Sequence, residues 1–216
     1  MTGEVQITRH PDLLLLAQEV ELVPIEGLLE PVIRDISQVQ SLNLSDRVFA
    51  KTSRIEIQGD RIRFFDQLNR FSASGTPITA QLEAYHLHAG EGLLGSLKER
   101  IFYGFGGVRA TLDDQIIQGD QLQIILPPDG QPQANPQLLA QGSVAIQGTG
   151  FSLTANRLES SQDGQSIFFS GDVFLIFDQG NIRAGLVQFN TQTQEFFLDQ
   201  DAALFTPVQE FLSHDP

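Results

Sequence analysis

The sequence predicts an all-β protein, and three observations carry that prediction. Apolar residues fall at alternate positions over many short stretches, as in Val173, Leu175 and Phe177, which is the pattern of a strand with one buried face. Turn-forming pairs such as Asp163-Gly164 separate these stretches. The apolar residues are mostly Leu, Ile, Val and 16 Phe, types that favour strands. Many short strands at regular spacing are typical of a sandwich, a barrel or a solenoid.

Composition indicates a folded chain and excludes several classes of function. The 216 residues are 41% hydrophobic and 19% charged, which is enough apolar material for a sizeable core. The formal net charge of −14 argues against binding a nucleic-acid backbone or docking on an anionic membrane surface. The chain has no cysteine, so disulfides, zinc–thiolate sites and thiol catalysis are excluded. No apolar run is long enough to predict a membrane span, and the first residues lack the pattern of a signal peptide.

The first fifty residues give mixed signals. Residues 5–8 and 20–22 alternate like short strands. Two stretches of the chain instead show helical spacing, which predicts a short helix or loop in each: Leu28, Val32, Ile36 and Val39, and further on Leu93, Leu94, Leu97 and Ile101. We therefore expect an N-terminal segment over residues 1–50, a β domain over residues 51–206 and a C-terminal tail over residues 207–216.

From about residue 54 onward the strands repeat. Residues 71–78, 138–145 and 167–174 superimpose, and each has an apolar residue, a second one or an alanine two places later, and then a glycine. Matching stretches precede them at residues 59–64, 119–124 and 155–158, with a degenerate copy at 183–189. Glycine inside a strand marks a bend or a bulge. One strand–turn–strand unit cannot bury its own apolar face, whereas stacked neighbours can.

The repeated pattern, Gly-Asp-x-Ile/Leu-x-Phe/Ile and then Phe-x-Ala/Phe-x-Gly-x-Pro/Val, resembles the LptA/OstA-like proteins of lipopolysaccharide transport. The resemblance covers residues 58–79, 119–126 and 140–198. It implies a partly open, V-shaped β-jelly roll whose apolar interior binds the acyl chains of lipopolysaccharide. It also implies a periplasmic location, a bridge between the inner and outer membranes, and pairing through edge strands with other Lpt-type proteins or with further copies of the chain. The LptA and LptC branches share this fold, and both remain open.

The apolar interior is the one binding site that the pattern supports. An acyl chain gains about 0.8 kcal/mol for each buried CH₂, so such a site needs no cofactor and no polar chemistry. The alternative is that the same residues fill a solid core, as in a structural or adhesion-type β-solenoid. The candidate residues are Ile62, Phe64, Phe71, Leu122, Ile124, Val144, Ile146, Phe151, Leu153, Phe169, Val173, Leu175, Phe177, Phe196 and Leu198.

Polar motifs predict a head-group contact at most, and no catalytic or metal site. Arg61 and Arg63 share a strand face and are candidates for binding a ligand's phosphates or sugar acids, although we favour a solvated strand face that balances the acidic excess. His86 and His88 place two imidazoles together, but zinc needs a third and usually a fourth ligand. A sugar-binding module or a jelly-roll enzyme using these histidines is the third hypothesis. Asp113-Asp114 predicts a turn, because adjacent strand residues face opposite ways. We expect no enzymatic activity.

Overall fold

The structure, a computed structural model, describes residues 2–9, 13–24, 39–65, 69–128, 135–178, 180–193, 195–199 and 201–205. Its regular elements in these residues are all β-strands, which confirms the predicted fold class. No helix of these residues is long and apolar enough to cross a membrane. The strands are β1 (Thr2–Arg9), β2 (Leu13–Pro24), β3 (Val39–Lys51), β4 (Ile55–Phe65), β5 (Arg70–Ser74), β6 (Ile78–Leu82), β7 (Tyr85–Ala89), β8 (Gly92–Ser96), β9 (Ile101–Leu112), β10 (Gln115–Ile125), β11 (Gln137–Gly148), β12 (Phe151–Ser160), β13 (Ser166–Phe177), β14 (Gly180–Asn190), β15 (Phe196–Leu198) and β16 (Ala203–Phe205).

The strands form one antiparallel meander in chain order. In three places, two consecutive short strands are the two arms of one bent strand. β5 and β6 both pair with β4, β7 and β8 both pair with β9, and β15 and β16 both pair with β14. Most consecutive strands are joined by short turns, which need little loop closure, whereas residues 25–38 separate β2 from β3 and residues 126–136 separate β10 from β11.

A line of bulges crosses the sheet and divides it into two layers. Register shifts interrupt successive ladders at the same level, for example between Ser45 and Val48 on β3 and between Gln141 and Val144 on β11. Bulges bend a strand and increase its twist. Layer A contains β6, β7, β16 and residues 13–17, 48–51, 55–59, 108–112, 115–119, 144–148, 151–155, 173–177 and 180–184. Layer B contains β5, β8, β15 and residues 19–24, 39–45, 61–65, 101–105, 121–125, 137–141, 157–160, 166–170 and 186–190.

The repeated glycines of the sequence lie on this bulge line, each facing a polar side chain of the preceding strand. Gly142 has a φ of +70° and Gly171 a φ of +77°, which other residues adopt only with strain. A Cβ at Gly142 would overlap the carboxylate of Asp120, and one at Gly171 would lie 2.8 Å from Nδ2 of Asn156. The glycines are therefore required both for the backbone conformation and for room beside the neighbouring side chain.

The two layers enclose one hydrophobic cluster. Within layer B the rings of Phe64, Phe71 and Phe102 form a chain, with centroids 6.0 and 6.2 Å apart. Near the C-terminal end, Phe151 of layer A meets Phe196 of layer B at 5.6 Å, edge to face. Such aromatic contacts stabilise beyond the area that they bury. Because Phe151 and Phe196 belong to different layers, the inner faces of the layers oppose each other.

The helix predicted around residue 93 is wrong. Leu93 is fully buried on β8, whereas Leu94 is 43% exposed, so the two side chains point to opposite faces as in a strand. Residues 97–100 form a turn, and Ile101 begins β9. The glycine-rich stretch that follows continues β9 through a bulge, with Gly106 and Gly107 at positive φ.

The described part of the first fifty residues belongs to the same sheet. β1 pairs with β2, β2 with β3, and β3 with β4. In the β3–β4 ladder, Ser41 lies opposite Phe65 at one end and Lys51 opposite Glu56 at the other. The expected domain boundary at residue 50 falls within β3. Of the helical candidate before it, Val39 begins β3, while residues 28, 32 and 36 lie outside the described residues, as does the tail over 207–216.

Candidate functional site: a cavity at the seam between the layers

Most of the predicted groove residues lie in the interior, where they pack against one another. Eleven are buried: Ile62, Phe64, Phe71, Leu122, Ile124, Val144, Ile146, Leu153, Phe169, Val173 and Leu175. Phe151, Phe177 and Phe196 are half-buried against this cluster. Leu198 is the exception, since it is 40% exposed. The side chain of Leu198 lies on the same, inward face of the sheet as that of its pairing partner Val187. Leu198 remains partly exposed because β15 is the last strand in the order of the described sheet.

Open space lies at the seam, the line opposite the bulges where the turns of the two layers meet. A cavity of about 530 Å³ occupies this position. Its floor is apolar and comes from both layers. Leu112, Ile117 and Ile146 contribute from layer A, and Leu138, Ile167 and Phe189 from layer B. Of the fifteen predicted residues, Ile146 alone lines the cavity.

One side of the rim is charged. Arg54 and Glu83 come from turns of layer A and Arg100 from a turn of layer B, and all three line the cavity. Glu83 Oε1 accepts a hydrogen bond from Nη2 of Arg100 and lies 3.5 Å from Nη1 of Arg54. The Arg100 side chain is only 11% exposed. An arginine shielded from water in this way requires a charged partner.

The other side of the rim is polar and uncharged. Asn135 Nδ2 and Thr191 Oγ1 each donate a hydrogen bond of 3.1 Å to the carbonyl of Gly164. Ser160 Oγ accepts a 2.7 Å bond from the backbone N–H of Leu138. These contacts hold the loops of layer B beside the cavity, and the rim is therefore charged on one side and neutral on the other.

Tyr85 projects into the cavity wall and is 5% exposed. Burial, and to a lesser degree the negative charge of Asp113, raise the pKa of Tyr85 from 10.0 to about 12. Because the pKa of Tyr85 is higher in the folded state than in the unfolded state, the neutral phenol favours the folded state. This contribution to the free energy of unfolding is fully present below about pH 10 and is lost as the pH rises through about 12.

We therefore expect the Tyr85 phenol to ionise near pH 12 in the folded protein. Ultraviolet absorbance of the phenolate, followed during a pH titration, measures this directly. The Tyr85→Phe variant should lose that transition. Ionisation of Tyr85 near pH 10, with the fold intact, would contradict the burial described here.

The two arginines predicted to contact a head group lie elsewhere. Arg61 and Arg63 are exposed on the outer face of layer B, and Arg63 Nη2 lies 3.4 Å from Ser41 Oγ. A shallow polar depression on that face contains both arginines, together with Glu19 and Glu21. Neither arginine lines the seam cavity. The sequence does not indicate Arg100 as a site residue. Arg100 lies in a turn, where no periodic pattern shows which way a side chain points.

The remaining polar motifs form structural features. His86 and His88 point outward from β7, opposite Gln81, Thr79, Thr111 and Arg109 on the flanking strands. The described residues contain no group of three or more His, Asp or Glu side chains placed to hold a metal ion. Asp113 and Asp114 form the turn between β9 and β10, as the sequence predicts.

The fold and the site together define a class: an all-β protein made of one folded meander, with an apolar seam cavity and a partly charged rim. No protein-family model matches the chain, and no curated protein matches it in sequence. It is similar to the crystal structure of LptH, the LptA homologous periplasmic component of the conserved lipopolysaccharide transport device from Pseudomonas aeruginosa. That match has 8% identity and a TM-score of 0.23, and it covers 94% of this chain and 90% of that chain.

Proposed function

We propose that this protein is a non-enzymatic binding protein that holds the acyl part of an amphiphile in the seam cavity. The observation that carries the proposal is the cavity itself, about 530 Å³ between two layers, with an apolar floor and a charged rim. Small-molecule sites are mostly apolar clefts of about 300–1,000 Å³ with a few polar groups that orient the ligand. An acyl chain on the floor and a polar end at the rim match this arrangement.

The specific ligand that we propose is lipopolysaccharide or a similar acylated glycolipid. The repeated Gly-Asp and glycine motifs support this choice through their resemblance to LptA/OstA-like proteins. The mechanism is passive, because an intact acyl chain can move between apolar surfaces without the help of a catalytic group. On this proposal the protein acts in the periplasm as a carrier or bridge between the two membranes.

Partners would attach by extending the sheet. The meander begins with β1 and ends with the bent strand made of β15 and β16, and a strand at the end of a sheet can pair with a strand of another molecule. β1 has eight residues, whereas β15 has three. We propose that Lpt-type proteins, or further copies of this chain, bind at these ends.

A fluorescent fatty-acyl probe tests the proposal. Ile167→Glu should weaken probe binding at least about tenfold, because it places a charge on the apolar floor. A tenfold loss of affinity corresponds to only about 1.4 kcal/mol of binding free energy, which is less than the usual cost of burying a charge. Ile176→Glu is the matched control: the same substitution on the same strand β13, at a side chain that is 43% exposed on the outer face. The control should bind the probe like the unmodified protein. Equal effects of the two variants, or no binding by the unmodified protein, would refute the proposal.

The closely packed interior favours a second candidate function, that of a structural β-protein. Eleven predicted groove residues are buried against one another, as expected of a solid core. A structural protein would not bind the probe, so the same titration separates the two functions.

A further inference from the structure

The Tyr85 side chain brings an unpaired hydroxyl group to the wall of the seam cavity. The residue is 5% exposed and lines the cavity. Within the described part of the chain, no residue forms a hydrogen bond with this hydroxyl. By contrast, Asn135 and Thr191 on the uncharged side of the rim both donate to the carbonyl of Gly164. The phenol is therefore a buried hydrogen-bond donor that is available to a ligand.

The strand register places Tyr85 at the boundary between the charged rim and the apolar floor. Tyr85 begins β7 and follows Glu83 of the rim by two residues. In the antiparallel β7–β9 ladder, His86 lies opposite Thr111. Continuing that register by one residue places Tyr85 beside Leu112, which belongs to the floor. A ligand with its chain on the floor and its head at the rim would therefore pass Tyr85 where the two parts join.

A buried hydroxyl selects ligands that offer it an acceptor. Water can hydrogen-bond to the phenol while the cavity is open. A ligand that fills the cavity displaces this water, and a buried hydroxyl left without a partner then costs free energy. Burial and the charge of Asp113 raise the pKa of Tyr85 to about 12, so the phenol stays protonated and able to donate throughout the neutral range.

The ligand group that fits this position is the carbonyl of an ester or an amide. In an acylated amphiphile this carbonyl joins the apolar chain to the polar head, and its oxygen is an acceptor. An ether-linked chain lacks the carbonyl.

We propose that Tyr85 donates a hydrogen bond to the carbonyl oxygen that links an acyl chain to its head group, and that the seam cavity thereby selects ester- or amide-linked chains over ether-linked ones. This proposal rests on the proposed function and specifies the ligand class of the same site.

A competition experiment tests the proposal with two neutral amphiphiles that share their chain length and head group. One is monododecanoylglycerol, whose chain is ester-linked, and the other is monododecylglycerol, whose chain is ether-linked. Each is used below its critical micelle concentration to displace the fluorescent fatty-acyl probe. The unmodified protein should bind the ester about three- to tenfold more tightly than the ether, which is the usual contribution of one hydrogen bond.

Tyr85→Phe keeps the ring and removes only the hydroxyl. The affinities of this variant for the two amphiphiles should become equal, because the ester meets no donor and the ether no longer buries an unpaired one. The matched control is Tyr103→Phe, at the second of the chain's two tyrosines. Tyr103 lies opposite the exposed Leu94, on the outer face of layer B, and its variant should keep the preference for the ester. A preference retained in Tyr85→Phe would overturn the proposal.

Tyrosine absorbance gives a second measurement that leaves Tyr85 in place. The chain has two tyrosines and no tryptophan, so the absorbance of the Tyr103→Phe variant reports on Tyr85 alone. A hydrogen bond donated by a phenol shifts its near-ultraviolet absorbance to longer wavelength. The ester complex should show this shift relative to the ether complex. Identical spectra would contradict the hydrogen bond, even if Tyr85→Phe failed to fold.

The outcomes separate this proposal from the proposed function. If the unmodified protein binds neither the probe nor the two amphiphiles, the proposed function fails. If it binds the probe but does not prefer the ester, selection by Tyr85 is refuted while the acyl-binding function stands.

Discussion

Replacing Phe71 by alanine is expected to lower the free energy of unfolding by about 3–5 kcal/mol, the usual range for a buried phenylalanine. Phe71 is 1% exposed, and its ring lies between those of Phe64 and Phe102. It also covers Gly95, where a Cβ would overlap the ring. Truncation removes these contacts and leaves a cavity that the rigid strands around it can only partly close. Urea denaturation of the purified variant measures the loss.

Phe197→Ala serves as the control for this prediction. Phe197 is 52% exposed on β15, so its truncation should change stability by no more than about 0.5 kcal/mol. The comparison also separates the two roles that the sequence left open for Phe71. If Phe71→Ala retained full stability and lost affinity for an acyl probe, the ring would line a ligand groove and the packed-core interpretation would be wrong.

Gly142→Ala is expected to lower the free energy of unfolding by about 2–5 kcal/mol, from two separate effects. The φ of +70° at this position disfavours any residue with a Cβ, by about 1–2 kcal/mol. The new Cβ would also overlap the side chain of Asp120, and overpacking adds about 1–3 kcal/mol. Thermal or urea unfolding gives the sum of the two effects.

Gly150→Ala isolates the first effect. Gly150 has a similar φ of +78°, but a Cβ there meets nothing within 4 Å. Its substitution should therefore cost only about 1–2 kcal/mol. Adding Asp120→Gly to Gly142→Ala should recover part of the difference, because it removes the overlapping side chain. If Gly142→Ala and Gly150→Ala lowered the free energy of unfolding equally, the contact between Asp120 and Gly142 would not explain why an aspartate and a glycine recur together in the repeats.

The fold class and the bends of the strands follow from local sequence patterns. Alternation at Val173, Leu175 and Phe177 predicts a strand with one buried face, and these three residues do face the interior on β13. The repeated glycines predict bends, which Gly142 and Gly171 form. Both signals are local, since a side chain's face depends on its neighbours in the strand and a positive φ depends on the residue itself.

The helical pattern around Leu93 shows the limit of such signals. Leu93, Leu94, Leu97 and Ile101 fit a helix by spacing, but pairing with β5 and β9 satisfies the backbone of β8. Hydrogen bonds to distant strands override a short apolar pattern. The sheet also buries Leu93 and leaves Leu94 exposed, which a helical interpretation does not anticipate.

From the sequence alone it follows that this chain forms repeated, bent strands with an apolar inner face. The sequence did not determine where the two layers leave space, because packing density depends on how side chains from distant strands fit together. Only the tertiary structure placed the open space at the seam, and only it joined Glu83 to Arg100 at the two ends of one folded strand. That contact depends on the bend between β7 and β8 at Gly90 and Glu91, and neither Glu83 nor Arg100 belongs to a sequence pattern that predicts it.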